Sequence, residues 1–546
     1  MSEILRSATS PLEAGKYREH GYRISTDMGM VIERDVSVPL RDGTRIFVDV
    51  YRPAAAGFTN GPALMGWSPY GKHGFKNLSL MPGSDVDPSW VSPHVIWEGP
   101  DPVHWCAQGY VIVNPDPRGA WRSEGTLSFW TESEARDGYD VIEWAATQPW
   151  SNGRVGLLGV SYLAISQWMI AAQRPPHLAA ICPWEGVSDV YRDLAFHGGI
   201  PERGFLEWWQ PKSRFSLGPA EDLLAMHDAH PLFDSYWADK KPDLSQIIAP
   251  AYVVASWCDH GMHTRGTLEG FKQIGSREKW LEIHGRKKWK HFWHPESVER
   301  QQQFFDQFLK GIESGVSWWP RVRLEVRGKP EAFRDESEWP LARTVYTKLY
   351  LNVERSSLEF EPLPQSSEAR YSSDGAGTRL SFVHIFSEPA ELTGHMKLKL
   401  WVSAETANDM DIFVAIQKRD RNGAEVGFPF FSTFDKGPVA LGWLRVSHRE
   451  LDPERSTDFQ PWLLHQEPML LEPGETVPVE IEILPSSTSF ERGECLRLVI
   501  QGTDIYQFDS SAPQDRHRTC NSGVYLVHGG GIFDSHLVVP LIPTQP

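Results

Sequence analysis

The sequence predicts an α/β protein with an inserted helical segment, followed by an all-β domain. Three observations carry this. Short apolar runs alternate with stretches of helical periodicity through the first 310 or so residues. An interval rich in Trp, Phe, Arg and acidic residues, 185–248, interrupts that rhythm and holds few strand-like runs. From about residue 320, apolar and polar residues largely alternate one by one between Pro, Gly and Asn punctuation. The expected parts are 1–184 and 249–319 as two portions of one core, 185–248 as a helical cap, and 320–546 as a β-sandwich or jelly roll.

The elements follow in order. Met30 to Pro53 reads as a β-hairpin turned at Arg41-Asp42-Gly43. Gly61 to Tyr70 begins as an apolar strand and runs into a loop, and Gly109 to Asn114 is a second strand. Glu134 to Gln148 is an amphipathic helix with Tyr139, Ile142 and Ala146 on one side. Arg154 to Val160 is a third strand, followed at once by a helix over Leu163 to Ala172. Strands recur at Ala251 to Ser256 and Lys279 to Ile283, and a helix opens at Pro295. Runs without polar alternation belong in a mostly parallel sheet covered on both faces. Later, His395 to Ala404, Asp411 to Lys418 and Val477 to Leu484 carry the alternating pattern.

Composition narrows the function. The 54 Lys and Arg against 71 Asp and Glu give a net charge of −17, which disfavours a nucleic-acid binder or a partner of anionic membrane surfaces. Met1 to Tyr17 is polar and lacks the apolar centre of a secretion signal, and no run of ~18 apolar residues is present. The cysteines (Cys106, Cys182, Cys258, Cys495, Cys520) are scattered without CxxC spacing, which points to a reducing cytoplasm rather than a disulfide framework or zinc ribbon.

Chemistry concentrates at Gly156-Leu157-Leu158-Gly159-Val160-Ser161-Tyr162. A buried strand ending in Gly-x-Ser and passing directly into a helix is the nucleophile-elbow context of an α/β-hydrolase core. There the serine stands above the sheet, and the N–H of the next residue, Tyr162, faces the same space and can stabilise an oxyanion. Leu163 replaces the last glycine of the usual Gly-x-Ser-x-Gly. A serine hydroxyl needs an adjacent base oriented by an acid, and in this fold the acid and then the histidine follow later strands. Asp259 follows the strand ending at Ser256 and is the expected acid. His284, His291 and His294 follow the next strand, and position does not separate the first two.

Gly159-Val160-Ser161-Tyr162-Leu163 with Ser166-Gln167-Trp168 resembles the cocaine esterase family, which groups with X-Pro dipeptidyl peptidases and α-amino-acid ester hydrolases. The likeness spans nearly the whole chain, through Val38 to Gly43, Asp116 to Gly119, Glu143 to Gly156, Ser447-His448-Arg449, His528-Gly529-Gly530 and Ser535-His536-Leu537. It implies an α/β-hydrolase core, a helical cap and a C-terminal jelly roll, with acyl transfer to water from Ser161 and Asp259 as the acid. It also implies an oxyanion contact from Tyr70, in Ser68-Pro69-Tyr70-Gly71. Two departures stand out: Ala164 where the family usually has Gly, and His284-Gly285-Arg286-Lys287-Lys288-Trp289-Lys290-His291 where it usually has Gly-Pro-Trp-x-His. The surviving Trp-x-His makes His291 the expected base, with His284 as the alternative.

The resulting expectation is a serine hydrolase acting on a small-molecule ester or amide, without a cofactor, with substrate between cap and core. Trp257, Phe205, Trp208 and Trp209 are candidate apolar walls, and each can equally be core packing. Oligomeric state is left open, a homo-oligomer included. Two other readings remain: a metal-dependent hydrolase using Asp259 with His260, His263, His284, His291 and His294, and an inactive hydrolase serving as a binding module.

Overall fold

The computed structural model describes residues 4–10, 20–73, 80–329, 333–373, 378–506 and 516–543. Of the polar stretch 1–17, only 4–10 fall among them.

The hairpin is β2 (Met30–Pro39) and β3 (Arg45–Pro53), flanked by an edge strand β1 (Arg23–Asp27). The apolar runs follow as β4 (Gly61–Met65), β5 (Val111–Asp116), β6 (Ser151–Val160), β7 (Leu178–Trp184), β8 (Ala251–Ser256) and β9 (Lys279–His284). With β10 (Val322–Glu325) and β11 (Phe333–Glu336) they form one sheet in the order β11-β10-β9-β8-β7-β6-β4-β5-β3-β2-β1. From β10 to β5 neighbouring strands are parallel. Every residue of β8 and β5 is buried, so neither strand has a polar face to show.

Register decides where the site can form. Val160 pairs with Trp184, and Ser256 pairs with His284, so β6, β7, β8 and β9 end almost level. The loops beginning at Ser161, Glu185, Trp257 and Gly285 therefore share one end of the sheet, the carboxyl end, where ligands of open α/β sheets bind.

Helix α1 (Glu132–Ala146) turns Val141, Ile142 and Ala145 inward, and Thr131 caps it by accepting from the Glu134 N–H. Helix α2 (Tyr162–Ala172) is buried nearly throughout. The interval expected to be a helical insertion contains α3 (Gly204–Ser213), α4 (Leu223–Ala229) and α5 (Ser235–Asp239), preceded by a short strand pairing of Phe196–His197 with Ile200–Pro201. Helices α6 (Thr264–Gln273), α7 (Lys288–Trp293) and α8 (Pro295–Phe305) complete the first half.

The C-terminal part is a network that is antiparallel except where Ser357 pairs parallel with Val383: β12 (Val345–Asn352), β13 (Ser357–Glu359), β14 (Leu380–Ile385), β15 (Ala390–Ala404), β16 (Asp411–Arg419), β17 (Ala440–Arg445), β18 (Val477–Phe490), β19 (Cys495–Gln501) and β20 (His536–Leu541). The path β15-β18-β17-β16-β19-β14-β13-β12-β20 returns to β15, so the strands close into a barrel with its own core. Closure leaves few free edges.

One expected boundary is corrected. The division placed at 319/320 falls inside the mixed sheet, because β10 lies parallel to β9 and β11 pairs antiparallel with β10. Val322-Arg323-Leu324-Glu325 alternates buried and half-buried because it lies next to the sheet edge. That alternation is the texture of the β domain that follows.

Arg327, just beyond β10, joins the two halves. Its side chain is buried and donates to the Val439 carbonyl at 2.6 Å and to Ser486 Oγ at 2.7 Å, while its backbone N–H donates to the Ser487 carbonyl at 3.1 Å. Arg327→Met would leave buried acceptors unmatched, costing roughly 1–3 kcal/mol for each group. The expected outcome is a thermal midpoint lower by about 5 °C or more, read by differential scanning calorimetry.

Among the described residues, no helix is long and apolar enough to cross a membrane.

Candidate active site

Ser161 sits at the turn between β6 and α2 with φ 59° and ψ −116°, a left-handed conformation that a serine holds only when its surroundings impose it. They do: its N–H donates to the carbonyls of Trp184 at 3.0 Å and Glu185 at 3.1 Å. Two residues earlier, a Cβ on Gly159 would lie 2.5 Å from Leu163 Cβ and 2.9 Å from the Glu98 carbonyl, so only glycine fits. The departure at Ala164 also finds its account here. A Cβ on Gly186 would stand 2.7 Å from Ala164 Cβ, so the space a glycine at 164 would leave is supplied instead by Gly186.

Asp259 and His263 come from one turn of chain. The loop after β8 coils into α6, and the His263 N–H donates to the Asp259 carbonyl at 3.1 Å. Side chains four residues apart then share a face. His263 Nδ1 is 2.5 Å from Asp259 Oδ2, and His263 Nε2 is 3.1 Å from Ser161 Oγ. The Nδ1–H that donates to the carboxylate leaves Nε2 as acceptor for the serine hydroxyl.

Electrostatics keep this chain in one charge state. Burial pushes the Asp259 carboxyl up, but the Lys288 ammonium and His263 outweigh it and hold the carboxyl below its usual range. Burial, reinforced by Lys288 and opposed by Asp259, brings the His263 imidazole down to about 4. Glu185 lies close by, and burial with the neighbouring Asp259 raises its carboxyl well above normal.

Ser161 opens into a cavity of about 120 Å³. Phe205, Trp208 and Trp209 line it, as the sequence reading proposes, and so does Tyr70. Tyr70 Oη accepts from Trp209 Nε1 at 3.0 Å, and its ring lies 4.2 Å from that of Trp97. Its own hydroxyl hydrogen is therefore available to a ligand. Tyr162 presents its N–H at the first position of α2, where no intrahelical carbonyl precedes it, while its Oη donates to Glu134 at 2.7 Å. Trp257 is elsewhere: it is buried, its Nε1 donates to the Glu325 carbonyl at 2.7 Å, and its ring packs on Trp339.

The expected base is placed differently. His291 is on α7, with Nε2 2.9 Å from Glu282 Oε1 and its ring 4.2 Å from that of His284. At 3.6 residues per turn it stands about 200° around the helix from Trp289, which lines the cavity, and so faces away from it. His284 Nε2 contacts Glu185 Oε1 at 3.1 Å. His294 lies near Glu296, 3.9 Å away. His263, which sequence reading grouped only with metal candidates, is the histidine brought to Ser161. Its signal was the Asp-x-x-x-His spacing directly after a strand. Sequence reading also missed Glu98, Lys288 and Arg516, which line the cavity.

For a metal, Glu185, Asp259 and His263 offer ligand atoms within 4.8 Å of one another. Lys288 Nζ lies 3.2 Å from Asp259 Oδ2, so a divalent cation there would face an ammonium. Of the other histidines of the proposed cluster, His260 turns to the Pro485 carbonyl and the Leu441 N–H and His291 to Glu282, while His284 Nε2 contacts Glu185 of that trio.

The chain resembles several known proteins. The description "X-Pro dipeptidyl-peptidase (S15 family)" matches residues 42–217, and "X-Pro dipeptidyl-peptidase C-terminal non-catalytic domain" matches 314–538. Cocaine esterase from Rhodococcus sp. (strain MB1 Bresler) is 26% identical, over 94% of this chain and 98% of its own. The crystal structure of a CocE/NonD family hydrolase from Staphylococcus aureus is 41% identical with a TM-score of 0.91, covering 97% of this chain and 98% of that one. An α-amino-acid ester hydrolase, 15% identical with a TM-score of 0.72 over 96% and 99% of the two chains, shares the fold. The chain therefore belongs to the CocE/NonD family of hydrolases, whose relatives are named esterases and X-Pro dipeptidyl-peptidases.

Proposed function

We propose that the protein is a serine hydrolase that cleaves a small acyl ester through a Ser161–His263–Asp259 triad and an acyl-enzyme, on an α/β-hydrolase core capped by 185–248 and followed by a jelly-roll domain. The observation that carries this is the unbroken contact from Ser161 Oγ to His263 Nε2 and from His263 Nδ1 to Asp259, at 3.1 and 2.5 Å, on a strained elbow.

His263 takes the serine proton as Oγ attacks the acyl carbon, and Asp259 stabilises the imidazolium that forms. The tetrahedral oxyanion is received by the Tyr162 N–H and the Tyr70 hydroxyl. His263 returns its proton to the leaving alcohol, and water repeats the sequence on the acyl-enzyme. The aromatic walls at Trp97, Phe205, Trp208 and Trp209 favour an apolar acyl or alcohol group. The ammonium beside Asp259 supports this reading over a metal site. The five unpaired cysteines support a reducing compartment such as the cytoplasm.

The test is labelling with a fluorophosphonate, which reacts only with an activated serine, followed by peptide mapping. The expected adduct is on Ser161, unaffected by prior chelation and lost in Ser161→Ala and His263→Asn. Folded wild-type protein that takes no label sinks the proposal, and labelling that disappears with chelator transfers the case to a metal.

A further inference from the structure

The loop after β9 sends a cation, not a histidine, toward Ser161. Lys288 begins α7 with its side chain buried and lines the cavity that holds the nucleophile. Its Nζ donates to Asp259 Oδ2 at 3.2 Å, the oxygen that also accepts from His263, and lies 3.4 Å from His263 Nδ1.

A buried ammonium needs a compensating charge. The groups that face Lys288 and the dyad come from four elements. Asp259 and His263 come from the loop after β8, and Glu185 from the loop after β7. Glu98 comes from the loop before β5, and Arg516 reaches the Gly261 carbonyl from the C-terminal half. Glu98 is already an acceptor for Trp289 Nε1 at 2.7 Å, and burial raises its carboxyl to about 7. Glu185 is pushed well above the usual carboxylate range, first by burial and then by Asp259. Both of these carboxyls are shifted toward the protonated form, Arg516 is paired with Glu202, and the carboxylate that Lys288 contacts directly is Asp259.

We propose that Lys288 is a positioning residue for the acid–base pair: its ammonium, seated on the oxygen that Asp259 shares with His263, holds the carboxylate ionised and oriented and keeps the imidazole neutral. This rests on the triad reading above. Its consequence is a tolerance of acid. His263 works only when neutral, so activity falls as pH drops through its value in the folded protein. A cation beside Nδ1 moves that fall to lower pH.

The experiment is kcat/KM for 4-nitrophenyl acetate against pH in wild type, Lys288→Met and Lys288→Arg. In Lys288→Met the acid limb is expected to move up by about one pH unit or more, with KM little changed. That is a loss of about tenfold on the limb. Lys288→Arg keeps the wild-type limb. If turnover of Lys288→Met is too slow, the pH dependence of fluorophosphonate labelling reads the same base. A limb that stays in place in Lys288→Met overturns the inference, even where the variant melts earlier, because a purely structural role would lower stability and leave the limb alone. Loss of labelling at every pH in folded Lys288→Met overturns it as well, since the lysine would then itself be the base. His263→Asn separates the two levels: if it retains turnover, the triad reading has failed. If it is inactive while the limb of Lys288→Met is unmoved, only the role of Lys288 has failed.

Discussion

His263→Asn is expected to lower kcat by about 10⁴-fold or more, whereas His291→Asn leaves kcat within about threefold of wild type. The asymmetry follows from what each ring touches. His263 Nε2 lies 3.1 Å from Ser161 Oγ, and without it the hydroxyl keeps its proton and is a poor nucleophile. His291 is occupied by Glu282 and packs against Trp184, so its loss disturbs a buried hydrogen bond and not the reacting atoms. The price of His291→Asn is therefore stability. Steady-state kinetics on a nitrophenyl ester, with thermal melts of both variants, separates the two effects. Turnover lost in His291→Asn and kept in His263→Asn would return the base to the loop after β9.

Tyr70→Phe is expected to lower kcat by about 10²–10³-fold with little change in KM, so that kcat and kcat/KM fall together. The ring remains to pack on Trp97, and Trp209 Nε1 loses its acceptor. On the proposed mechanism, what disappears at the reacting centre is one donor to the charge that develops only in the transition state. A variant with wild-type kcat would assign the oxyanion to backbone donors alone. A rise in KM at constant kcat would make Tyr70 a binding group instead.

Much of the core could be read from sequence because burial on both faces of a parallel sheet leaves no polar alternation, as in Ala251 to Ser256. The elbow was legible for a related reason: a buried strand, a tight Gly-x-Ser and an apolar helix follow without a linker. Asp259 was legible from its place after a strand. The histidine was not. Sequence reading searched after β9, where a Trp-x-His fragment survives, but α7 turns that histidine to the far side. The spacing of Asp259 and His263 becomes informative only once the loop is known to coil into a helical turn. The edge of the sheet was missed because β10 alternates like a strand of the following barrel. The cavity walls at Glu98, Lys288 and Arg516 come from distant parts of the chain, and no local pattern announces such a convergence.

Placing the proposed acid and base on one turn changes how many distant alignments the fold must achieve. Where the two stand on separate loops, both must be brought to the nucleophile and to each other across the sheet. Here their partnership is made by neighbours in the chain, and one long-range contact remains, from residue 161 to a residue 102 positions away. The pair also travels as a unit. A shift of the loop after β8 carries carboxylate and imidazole together and alters only their joint distance from the serine. The loop after β9, relieved of supplying a proton acceptor, is free to serve another purpose, and in this chain it brings a lysine.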